Sequence, residues 1–457
     1  MNLRAFIAIL LCKTLRLISR VLHRGGTAMP GRFALKVCPD LLERLAGGVK
    51  SVAITGTNGK TTSSRMVEEA FAEAKMSFFA NRSGANLLSG ITTEFVMNCT
   101  LTGKMKKEYA VIECDEAAAV KVFPQLRPKV IVVTNLFRDQ LDRYGEVTHT
   151  LENIRTAIKP VPEAVLCLNA DCSLTSSLAL DLPNRVVWFG MAKDAVKSAE
   201  MSTLSDASHC IRCKTLYEYD FVSYDHLGHF RCPKCGYARH DTQCTVTNVV
   251  EQRAEGSTVM IELDGTPYLA EINLPALYNI YNAAGALAAC TEMGIDPKIS
   301  IEALRFFKCG FGRMEQFRLG GGGTKMMLVK NPAGCNQVIS FLENVKEKFI
   351  LVICLNDRGA DGTDISWIWD AEFEKMNRYA GYIDRIIVSG DRAEDMRLRV
   401  KYAGIPEENI QLEKSYEKIV SFAEAQDKPV FMMPTYTAML ELRQCVIKHC
   451  GGTEFWE

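Results

Sequence analysis

The sequence carries no excess of charge of either sign. Lysine plus arginine number 54 in 457 residues, and aspartate plus glutamate also number 54, so the formal net charge is zero. A strong positive excess is typical of proteins that coat nucleic acid. The balance argues against that class, and we expect no nucleic-acid partner.

The N-terminal region lacks an apolar run long enough to cross a bilayer, which takes about 20 residues. Its apolar run covers only residues 5–12, and we predict an amphipathic helix within an N-terminal segment of residues 1–45. The basic residues offered by this helix are Arg4, Lys13, Arg16, Arg20 and Arg24. Two interpretations stay open: the helix packs on the first domain, or it makes peripheral contact with an anionic membrane surface.

The sequence contains 17 cysteines but lacks a secretory signal. These cysteines are scattered through a long chain, so we expect no disulfide framework. We expect a cytoplasmic protein, with the inner face of the membrane as the place of any lipid contact. The length of 457 residues predicts two or three domains.

Apolar strand patterns alternate with helix-length segments in the first part of the chain. Residues 49–55 form a β-branched apolar run, and apolar spacing over residues 61–75 predicts a helix directly after it. Further buried strands are predicted at residues 109–113, 130–135, 164–169 and 186–189. Such alternation predicts an α/β fold with a parallel sheet covered by helices on both faces.

This pattern is interrupted by a polar insertion at about residues 200–243 and then resumes. Strands are predicted at 245–252, 258–263 and 268–272, a helix at 279–293, and later strands at 326–330, 349–355, 385–389 and 430–433. The glycine run 320–323 punctuates the chain. We therefore predict a central domain over residues 46–316 and a C-terminal α/β domain over residues 317–457, with the boundary near Phe317.

The stretch AITGTNGKTT lies between the first predicted strand and its helix. It is shorter than the usual phosphate loop, because Ile54 occupies the position where that motif has its first glycine. Backbone amides at a helix N-terminus hold phosphate, a lysine there reaches the β and γ oxygens, and a threonine can bind magnesium. The predicted nucleotide-binding residues are Gly56, Thr57, Asn58, Gly59, Lys60, Thr61 and Thr62.

Acidic and amide side chains follow two other predicted strands, at the edge where the loop also lies. They are Glu113, Asp115 and Glu116 in VIECDEAA, and Asn135, Asp139 and Asp142 in VTNLFRDQLDRYGE. Carboxylates together with substrate phosphates form the usual magnesium shell. For any single acid, a solvated loop position is the alternative.

Two CxxC pairs occupy the insertion: CIRC contains Cys210 and Cys213, and CPKC contains Cys232 and Cys235. The eighteen residues between the pairs allow four thiolates to surround one Zn²⁺. A nearby histidine is the alternative fourth ligand; the candidates are His209, His226, His229 and His240. With four protein ligands, the zinc would be structural.

Four segments, in this order and at these separations, resemble the Mur ligase family, which includes the folylpolyglutamate synthases. They are TGTNGKTT, TNLFRDQLDRYGE, LYNIYNAAGA and FGRME. Members use ATP to convert a carboxylate into an acyl phosphate, which an amine then attacks. The resemblance implies that Lys60 and Thr61 bind ATP and Mg²⁺ and that Glu113 helps to hold the metal. It also implies the nucleotide contacts: Asn279 or Asn282 at the adenine, and Arg313 at the phosphates.

The whole chain, with its cysteine insertion and the ADGTDISWIWD segment, is similar to the MurT family of synthetase subunits of lipid II isoglutaminyl synthases. This resemblance implies a Mur ligase-like P-loop ATPase domain with an inserted zinc ribbon of four cysteine ligands, and a Rossmann-like C-terminal domain. It implies amidation of the α-carboxyl of D-glutamate in lipid II, with ammonia from a GatD-like glutaminase in a heterodimer.

Two features depart from the Mur ligase pattern. Only about 50 residues precede the loop, so we expect no uridine-nucleotide domain, and Gln140 occupies the place of a metal-binding histidine. Two alternative functions stay open. One is a ligase that adds an amino acid instead of ammonia, and the other is a zinc-ribbon interaction or nucleic-acid module with a vestigial ATPase.

The chain also lacks the G-x-C-x-G elbow of one major glutaminase class. The cysteine nucleophile of a glutaminase would therefore come from another protein. From residue chemistry alone, the turn that contains Asp357, Asp361 and Asp364 is a helix N-cap beside a docking surface with Trp367 and Trp369. The MurT resemblance implies instead that Asp364 completes the Cys-His pair of the partner.

Overall fold

The computed structural model describes residues 2–21, 28–81, 85–139, 147–199, 206–253, 255–307 and 313–451. The described residues form two compact units. One lies within 1–137, 147–273 and 277–307, and the other within 138–146, 274–276 and 308–457. Each unit is built around its own β-sheet.

The first unit contains a nine-stranded sheet and a separate two-stranded hairpin. Its strands are β1 (Lys50–Thr55), β2 (Phe78–Ala80), β3 (Tyr109–Glu113), β4 (Val130–Val133), β5 (Val165–Asn169), β6 (Val186–Met191), β7 (Glu218–Tyr224), β8 (Leu227–Arg231), β9 (Cys244–Gln252), β10 (Ser257–Leu263) and β11 (Thr266–Ile272). The order in the large sheet is β11-β10-β9-β6-β5-β4-β1-β3-β2. Neighbouring strands in the run β9-β6-β5-β4-β1-β3-β2 pair in parallel. Strands β9, β10 and β11 form an antiparallel meander.

Helices cover this sheet. They are α1 (Leu3–Val21), α2 (Ala28–Val37), α3 (Leu41–Ala46), α4 (Lys60–Glu73), α5 (Leu88–Met97), α6 (Glu116–Leu126), α7 (Val147–Ile158), α8 (Ser173–Ser176), α9 (Leu277–Glu292) and α10 (Pro297–Phe306), with a 3-10 turn at Ser177–Leu180. The predicted strand at 109–113 is observed with those bounds, and the helix predicted at 61–75 is observed as α4. The small residues of α9 are buried, which lets this helix pack closely on the sheet.

The order of the central strands positions the predicted site. Strand β1 has β3 on one side and β4 on the other, so the chain direction around the sheet reverses at β1. In parallel α/β sheets, ligands bind beyond the carboxyl ends of the strands at such a switch point. The loop after β1, Glu113 at the end of β3 and Asn135 after β4 all lie at this edge.

The predicted N-terminal helix is observed as α1, and it packs against α2 and α5. Ala5, Ala8, Ile9 and Cys12 are fully buried on one side of it. The packing interpretation is therefore correct for that side of α1. Arg24 and the side chain of Arg20 lie outside the described residues. No helix in the described part of the chain is long and apolar enough to cross a membrane.

The polar insertion contains β7 and β8, two strands that its composition did not predict. They form an antiparallel hairpin, beside a small core that includes Tyr217, Phe230 and Tyr237. The apolar residues of these strands do not keep the period of two that predicts a strand, because Phe221 and Val222 are adjacent in β7, and both Gly228 and His229 separate the apolar residues of β8. The hairpin and the cysteine pairs together form the zinc-ribbon-like part of the first unit.

The second unit contains a six-stranded sheet ordered β12-β13-β17-β14-β15-β16. Its strands are β12 (Arg313–Phe317), β13 (Thr324–Met327), β14 (Phe349–Cys354), β15 (Ile383–Ser389), β16 (Ile410–Leu412) and β17 (Val430–Pro434). Its helices are α11 (Pro332–Leu342), α12 (Ala393–Tyr402), α13 (Tyr416–Glu424) and α14 (Tyr436–Cys450), and its 3-10 turns are Ser366–Trp369, Phe373–Tyr382 and Glu407–Asn409. All neighbours pair in parallel except β12 and β13.

The glycine run 320–323 has a local structural role in this second sheet. Gly320 and Gly323 both adopt a φ of 74°, which favours glycine, and they lie in the connection between β12 and β13. The domain boundary predicted near Phe317 therefore falls at the end of β12, within the antiparallel hairpin of β12 and β13. The glycines therefore turn the chain between two paired strands.

Candidate functional site

The loop after β1 takes a backbone path that requires its two glycines. Gly56 has a φ of 118° and Gly59 a φ of 87°, values that L side chains rarely adopt. A Cβ on Gly56 would clash with Thr134, and a Cβ on Gly59 would clash with the side-chain amide of Asn282. The loop is therefore held against both the end of β4 and helix α9.

Hydrogen bonds fix the loop to the segment after β4. The backbone amide of Thr57 donates to the carbonyl of Asn135 at 2.9 Å, and its hydroxyl donates to the carbonyl of Phe137 at 3.1 Å. The amide of Asn58 donates to Oδ1 of Asn135 at 3.0 Å. Asn135, expected near a metal, thus braces the loop through both its backbone and its side chain.

Lys60 begins α4 and is buried inside the loop. Its Nζ donates to Glu116 Oε1 at 2.7 Å and to the carbonyl of Gly56 at 2.6 Å. Burial alone would lower the pKa of Lys60, but the negative charge of Glu116 outweighs it and raises the pKa. The ammonium group is therefore held charged within the glycine turn, as binding of phosphate requires.

Thr61 and Glu113, the two predicted protein ligands of Mg²⁺, lie in contact. The hydroxyl of Thr61 donates to Glu113 Oε2 at 2.7 Å, and the amide of Asn86 donates to Oε1 at 3.5 Å. The backbone of Glu113 is held by Asn81, which accepts from its amide at 2.9 Å and donates to its carbonyl at 2.7 Å. A hydroxyl beside a carboxylate is a donor set that suits Mg²⁺, and Thr62 is buried in the next position of α4.

The other acidic residues predicted near a metal have different surroundings. Asp115 caps α6, because its Oδ1 accepts from the amides of Ala117 and Ala118 at 3.1 and 3.2 Å. Asp139 forms an ion pair with Lys330, within the second unit. Gln140 and Asp142 lie outside the described residues. Of the predicted acids that the structure describes, Glu113 and Glu116 bond to residues of the nucleotide loop and the start of α4.

Helix α9 brings the predicted adenine residues to the loop. The amide of Asn282 donates to Oδ1 of Asn279 at 3.1 Å, and both residues are buried. Ser63 of α4 donates to the carbonyl of Asn282 at 3.3 Å. Arg313 begins β12, and its side chain lies outside the described part of the structure.

The four cysteines of the insertion meet. Cys210 Sγ lies 3.5 Å from Cys235 Sγ, and Cys213 Sγ lies 3.4 Å from Cys232 Sγ. All four sulfur atoms fall within 4.8 Å of one another. Tetrahedral thiolate ligands at a Zn–S distance of about 2.3 Å stand about 3.8 Å apart, so this donor set fits Zn²⁺.

The ionisation of these thiols also favours a cation. The hydroxyl and backbone amide of Thr215 lower the pKa of Cys213 to about 6. At Cys235 the amide of Tyr237 lowers the pKa, but desolvation and the neighbouring thiols outweigh it and raise the pKa to about 11. Four thiolates cannot form together at this spacing unless a positive ion compensates their charge.

The four nearby histidines have other partners. His209 is hydrogen-bonded to the hydroxyl of Ser208, His229 contacts the carbonyl of Met191, and His240 stacks on Trp188. The fourth, His226, lies in a buried group described below. The alternative of a histidine as fourth metal ligand therefore loses support from the geometry.

A buried polar group that the sequence patterns did not reveal joins the insertion to the sheet and to α9. Asp171 accepts from Arg239 Nε at 2.6 Å, from the hydroxyl of Tyr281 at 2.6 Å and from the amide of Met191 at 2.8 Å. Tyr281 precedes Asn282 in α9. The signal in the sequence was Asp171, which stands two residues beyond the predicted strand at 164–169.

A second unpredicted group contains a thiol, an imidazole and a carboxylate. Cys172 Sγ lies 3.7 Å from His226 Nε2, and His226 Nδ1 lies 3.2 Å from Asp225 Oδ1. Burial would lower the pKa of His226, but its bonds with Asp225 and Cys172 outweigh it and raise the pKa to about 10. Cys172 and His226 are fully buried, so this group is closed to substrates and its role is structural.

Asp364 lies in the second unit, after β14. Its Oδ1 accepts from the amide of Ser366 at 2.8 Å, at the first residue of the 3-10 turn Ser366–Trp369. The carboxylate is exposed, and Trp369 nearby is 48% exposed. The turn therefore presents an acidic and an aromatic side chain to solvent, although the residue at its N-cap is Ile365 and not Asp364.

Comparison with known proteins identifies two families of domain in the chain. The Mur ligase middle domain matches residues 54–232, and the MurT ligase C-terminal domain matches residues 328–439. The lipid II isoglutaminyl synthase (glutamine-hydrolyzing) subunit MurT of Streptococcus pneumoniae is 34% identical over 97% of both chains. The protein of the same name from Staphylococcus aureus is 34% identical over 96% of both.

The fold is shared more widely. A pseudomurein peptide ligase type C from Methanothermus fervidus aligns with 90% of this chain and 80% of its own, with a TM-score of 0.64. Its sequence identity is 19%, so the likeness concerns the fold. The predicted Mur ligase-type architecture is confirmed.

Proposed function

The chain belongs to the MurT family of Mur ligase-type synthetase subunits, and on that basis we propose that it uses ATP to amidate a carboxyl group of lipid II. The carboxyl group is the α-carboxyl of D-glutamate in the stem peptide, and the product is D-isoglutamine. ATP supplies the phosphoryl group that turns the carboxylate into an acyl phosphate. Ammonia then displaces phosphate and forms the amide.

The observation that carries the proposal is the pairing of Lys60 with Glu116 beside the pairing of Thr61 with Glu113. Lys60 is held charged where the glycine turn would hold the β and γ phosphates. Thr61 and Glu113 would hold Mg²⁺, which compensates the phosphate charge during transfer. Asn279 and Asn282 would contact the adenine, and Arg313 would contact the phosphates.

The cysteine cluster supports one structural Zn²⁺ per chain. All four protein ligands are present, so no position is left for substrate. We propose that the metal holds the two CxxC turns together beside the hairpin β7–β8. The domain division at residues 46–316 and 317–457, after an N-terminal segment 1–45, also remains a proposal.

Ammonia would come from a separate glutaminase of the GatD type in a heterodimer, because the chain lacks the G-x-C-x-G elbow of one major glutaminase class. The exposed carboxylate of Asp364 supports a contact with that partner, in which it orients a histidine of the glutaminase. We propose a cytoplasmic location, at the inner face of the membrane where lipid II is made.

The test is a mass measurement of lipid II after incubation with the chain, a co-purified glutaminase, ATP and glutamine. Conversion of one acid to an amide is expected, and omission of ATP should abolish it. Parallel reactions contain ammonium or a panel of amino acids in place of glutamine. Attachment of an amino acid, with no amide formed, would favour a peptide-adding ligase. Failure to bind ATP at all would favour an interaction module.

A further inference from the structure

Helix α1 exposes a continuous apolar face on the side opposite its buried residues. Counted from Leu3, apolar residues recur after three, four, seven, fourteen and fifteen positions, which places them on one side of a helix. These residues, which we call the α1 face, are Leu3, Phe6, Ile7, Leu10, Leu17 and Ile18, and all six are exposed. Leu3 and Leu17 are 74% and 63% exposed.

Among the described residues, packing on the first unit leaves the α1 face exposed. The buried side of α1, which includes Ala5, Ile9 and Cys12, is fully enclosed. On the flank, Lys13 donates to the carbonyl of Cys99 at 2.9 Å and anchors the helix. The neighbouring helix α2 adds the exposed side chains of Met29 and Phe33. An apolar surface of this extent on a soluble unit marks an interaction site.

The segment that contains α1 and α2 carries charge of a single sign. The first 39 residues contain seven lysines and arginines and no aspartate or glutamate, although the whole chain is neutral. Arg4, Arg32 and Lys36 are exposed on α1 and α2, and Lys36 lies 5.4 Å from the ring centroid of Phe33. An apolar face bordered by basic side chains is complementary to an anionic bilayer.

We propose that the α1 face docks the chain on an anionic lipid bilayer. The apolar side chains would enter the boundary between headgroups and acyl chains, and the arginines would contact lipid phosphates. Because α1 is already folded and anchored on its other side, docking requires no folding of a disordered segment. If the proposed function holds, the same contact would place the ligase at the surface that contains its lipid-linked substrate.

The test measures co-sedimentation of the purified full chain with two kinds of vesicle. One is pure phosphatidylcholine, and the other contains about one-third phosphatidylglycerol. We expect binding to the anionic vesicles that weakens as salt screens the charges. Leu10→Gln with Leu17→Gln should weaken this binding at least about tenfold, because two leucine side chains would no longer move apolar surface from water into the bilayer. Arg4→Gln with Arg32→Gln should weaken it about fivefold per charge.

Val250→Gln with Leu269→Gln is the matched control, because both residues are exposed on strands of the same unit. This control should bind anionic vesicles like the wild type, and circular dichroism checks that every variant is folded. Vesicle binding needs neither ATP nor lipid II, so its result is separate from that of the proposed function.

Three outcomes would overturn the proposal. In the first, the wild-type chain fails to sediment with anionic vesicles. In the second, the leucine variant sediments as well as the wild type. In the third, a protein covers the α1 face, as shown either by a dimer in sedimentation velocity or by loss of vesicle binding when the co-purified glutaminase is present.

Discussion

Lys60 stabilises the loop and is also proposed to bind phosphate, so its substitution has two separable effects. Lys60→Ala leaves the buried carboxylate of Glu116 without this partner, which costs about 3–5 kcal/mol of unfolding free energy. The double variant Lys60→Ala with Glu116→Gln removes the charge as well, and should recover most of that loss. Both variants should lose roughly a hundredfold or more of ATP-dependent turnover.

The measurement is turnover with saturating glutamine and partner, together with urea unfolding of each variant. The single variant Glu116→Gln serves as the control for the missing carboxylate. Near-normal turnover in the stable double variant would remove Lys60 from the proposed chemistry.

Substitution of Asp364 should separate the two halves of the proposed reaction, which are release of ammonia from glutamine and ATP-dependent amidation. The side chain of Asp364 is exposed and accepts a hydrogen bond from the amide of Ser366, so Asp364→Asn should change the unfolding free energy by less than about 0.5 kcal/mol. If it orients a histidine of the glutaminase, glutamine-dependent amidation should fall by orders of magnitude. A high ammonium concentration should restore amidation.

The comparison of rates with glutamine and with ammonium decides the role of Asp364. Asp357→Asn, in the same loop but paired with Arg392 at 3.2 Å, is the matched control and should keep both activities. Equal loss of both activities in Asp364→Asn would assign the residue to the ligase site or to the fold.

At the scale of elements, the cysteine insertion depends on its metal. Four thiols crowd into one small core with few apolar residues, and a structural zinc can supply much of the folding free energy of such a module. Cys232→Ser should lose the metal and lower the melting temperature. Elemental analysis should find one zinc in the wild type and in Cys450→Ser, a control thiol outside the cluster. Wild-type protein purified without chelator that holds less than about one-tenth of an equivalent would contradict the site.

The turn of the hairpin β7–β8 should make stability depend on pH. The pKa of His226 is raised from 6.5 to about 10 in the folded state. Its protonated form therefore stabilises the fold fully below pH 6.5, and the contribution is lost as the pH rises through about 10. Asp225→Asn removes the carboxylate, and asparagine tolerates the φ of 51° at this position.

Denaturant unfolding at several pH values tests this expectation. The unfolding free energy of the wild type should exceed that of Asp225→Asn. This difference should be largest near pH 6 and shrink toward pH 10. A difference that stays constant over that range would show that the imidazole does not titrate as the geometry indicates.

At the scale of the whole molecule, the two units have separate cores. In the second unit, Arg443 donates to Glu315 at 2.8 and 2.9 Å, and Arg443 is 4% exposed. Arg443→Met leaves that carboxylate without the guanidinium and should cost about 3–5 kcal/mol. Calorimetry should resolve two transitions, of which Arg443→Met lowers one and Cys232→Ser the other. A single transition lowered by both variants would contradict independent cores.

The sequence by itself determined the features that depend on a few neighbouring residues in the chain. The glycine loop, the two CxxC pairs and the strand at 109–113 could be predicted because each depends on local spacing, turn chemistry or a short apolar run. The alternation of strands and helices predicted a parallel α/β fold, and the resemblance of four motifs, in order, to the Mur ligase family indicated its type. The hairpin β7–β8 escaped prediction, because its strands are short and their apolar residues do not keep a strict period of two.

Only the tertiary structure decided which distant residues meet. Glu116 pairs with Lys60 because β3 and β1 are neighbours in the sheet, although many residues separate them in the chain. The meeting of Asp171 with Arg239 and Tyr281 likewise depends on where the insertion and α9 pack. Local periodicity cannot encode such contacts, since they follow from the order of strands and from close packing in three dimensions. The same limit applies to α1. Its periodicity predicted an amphipathic helix, but only packing revealed which of its apolar residues stay exposed.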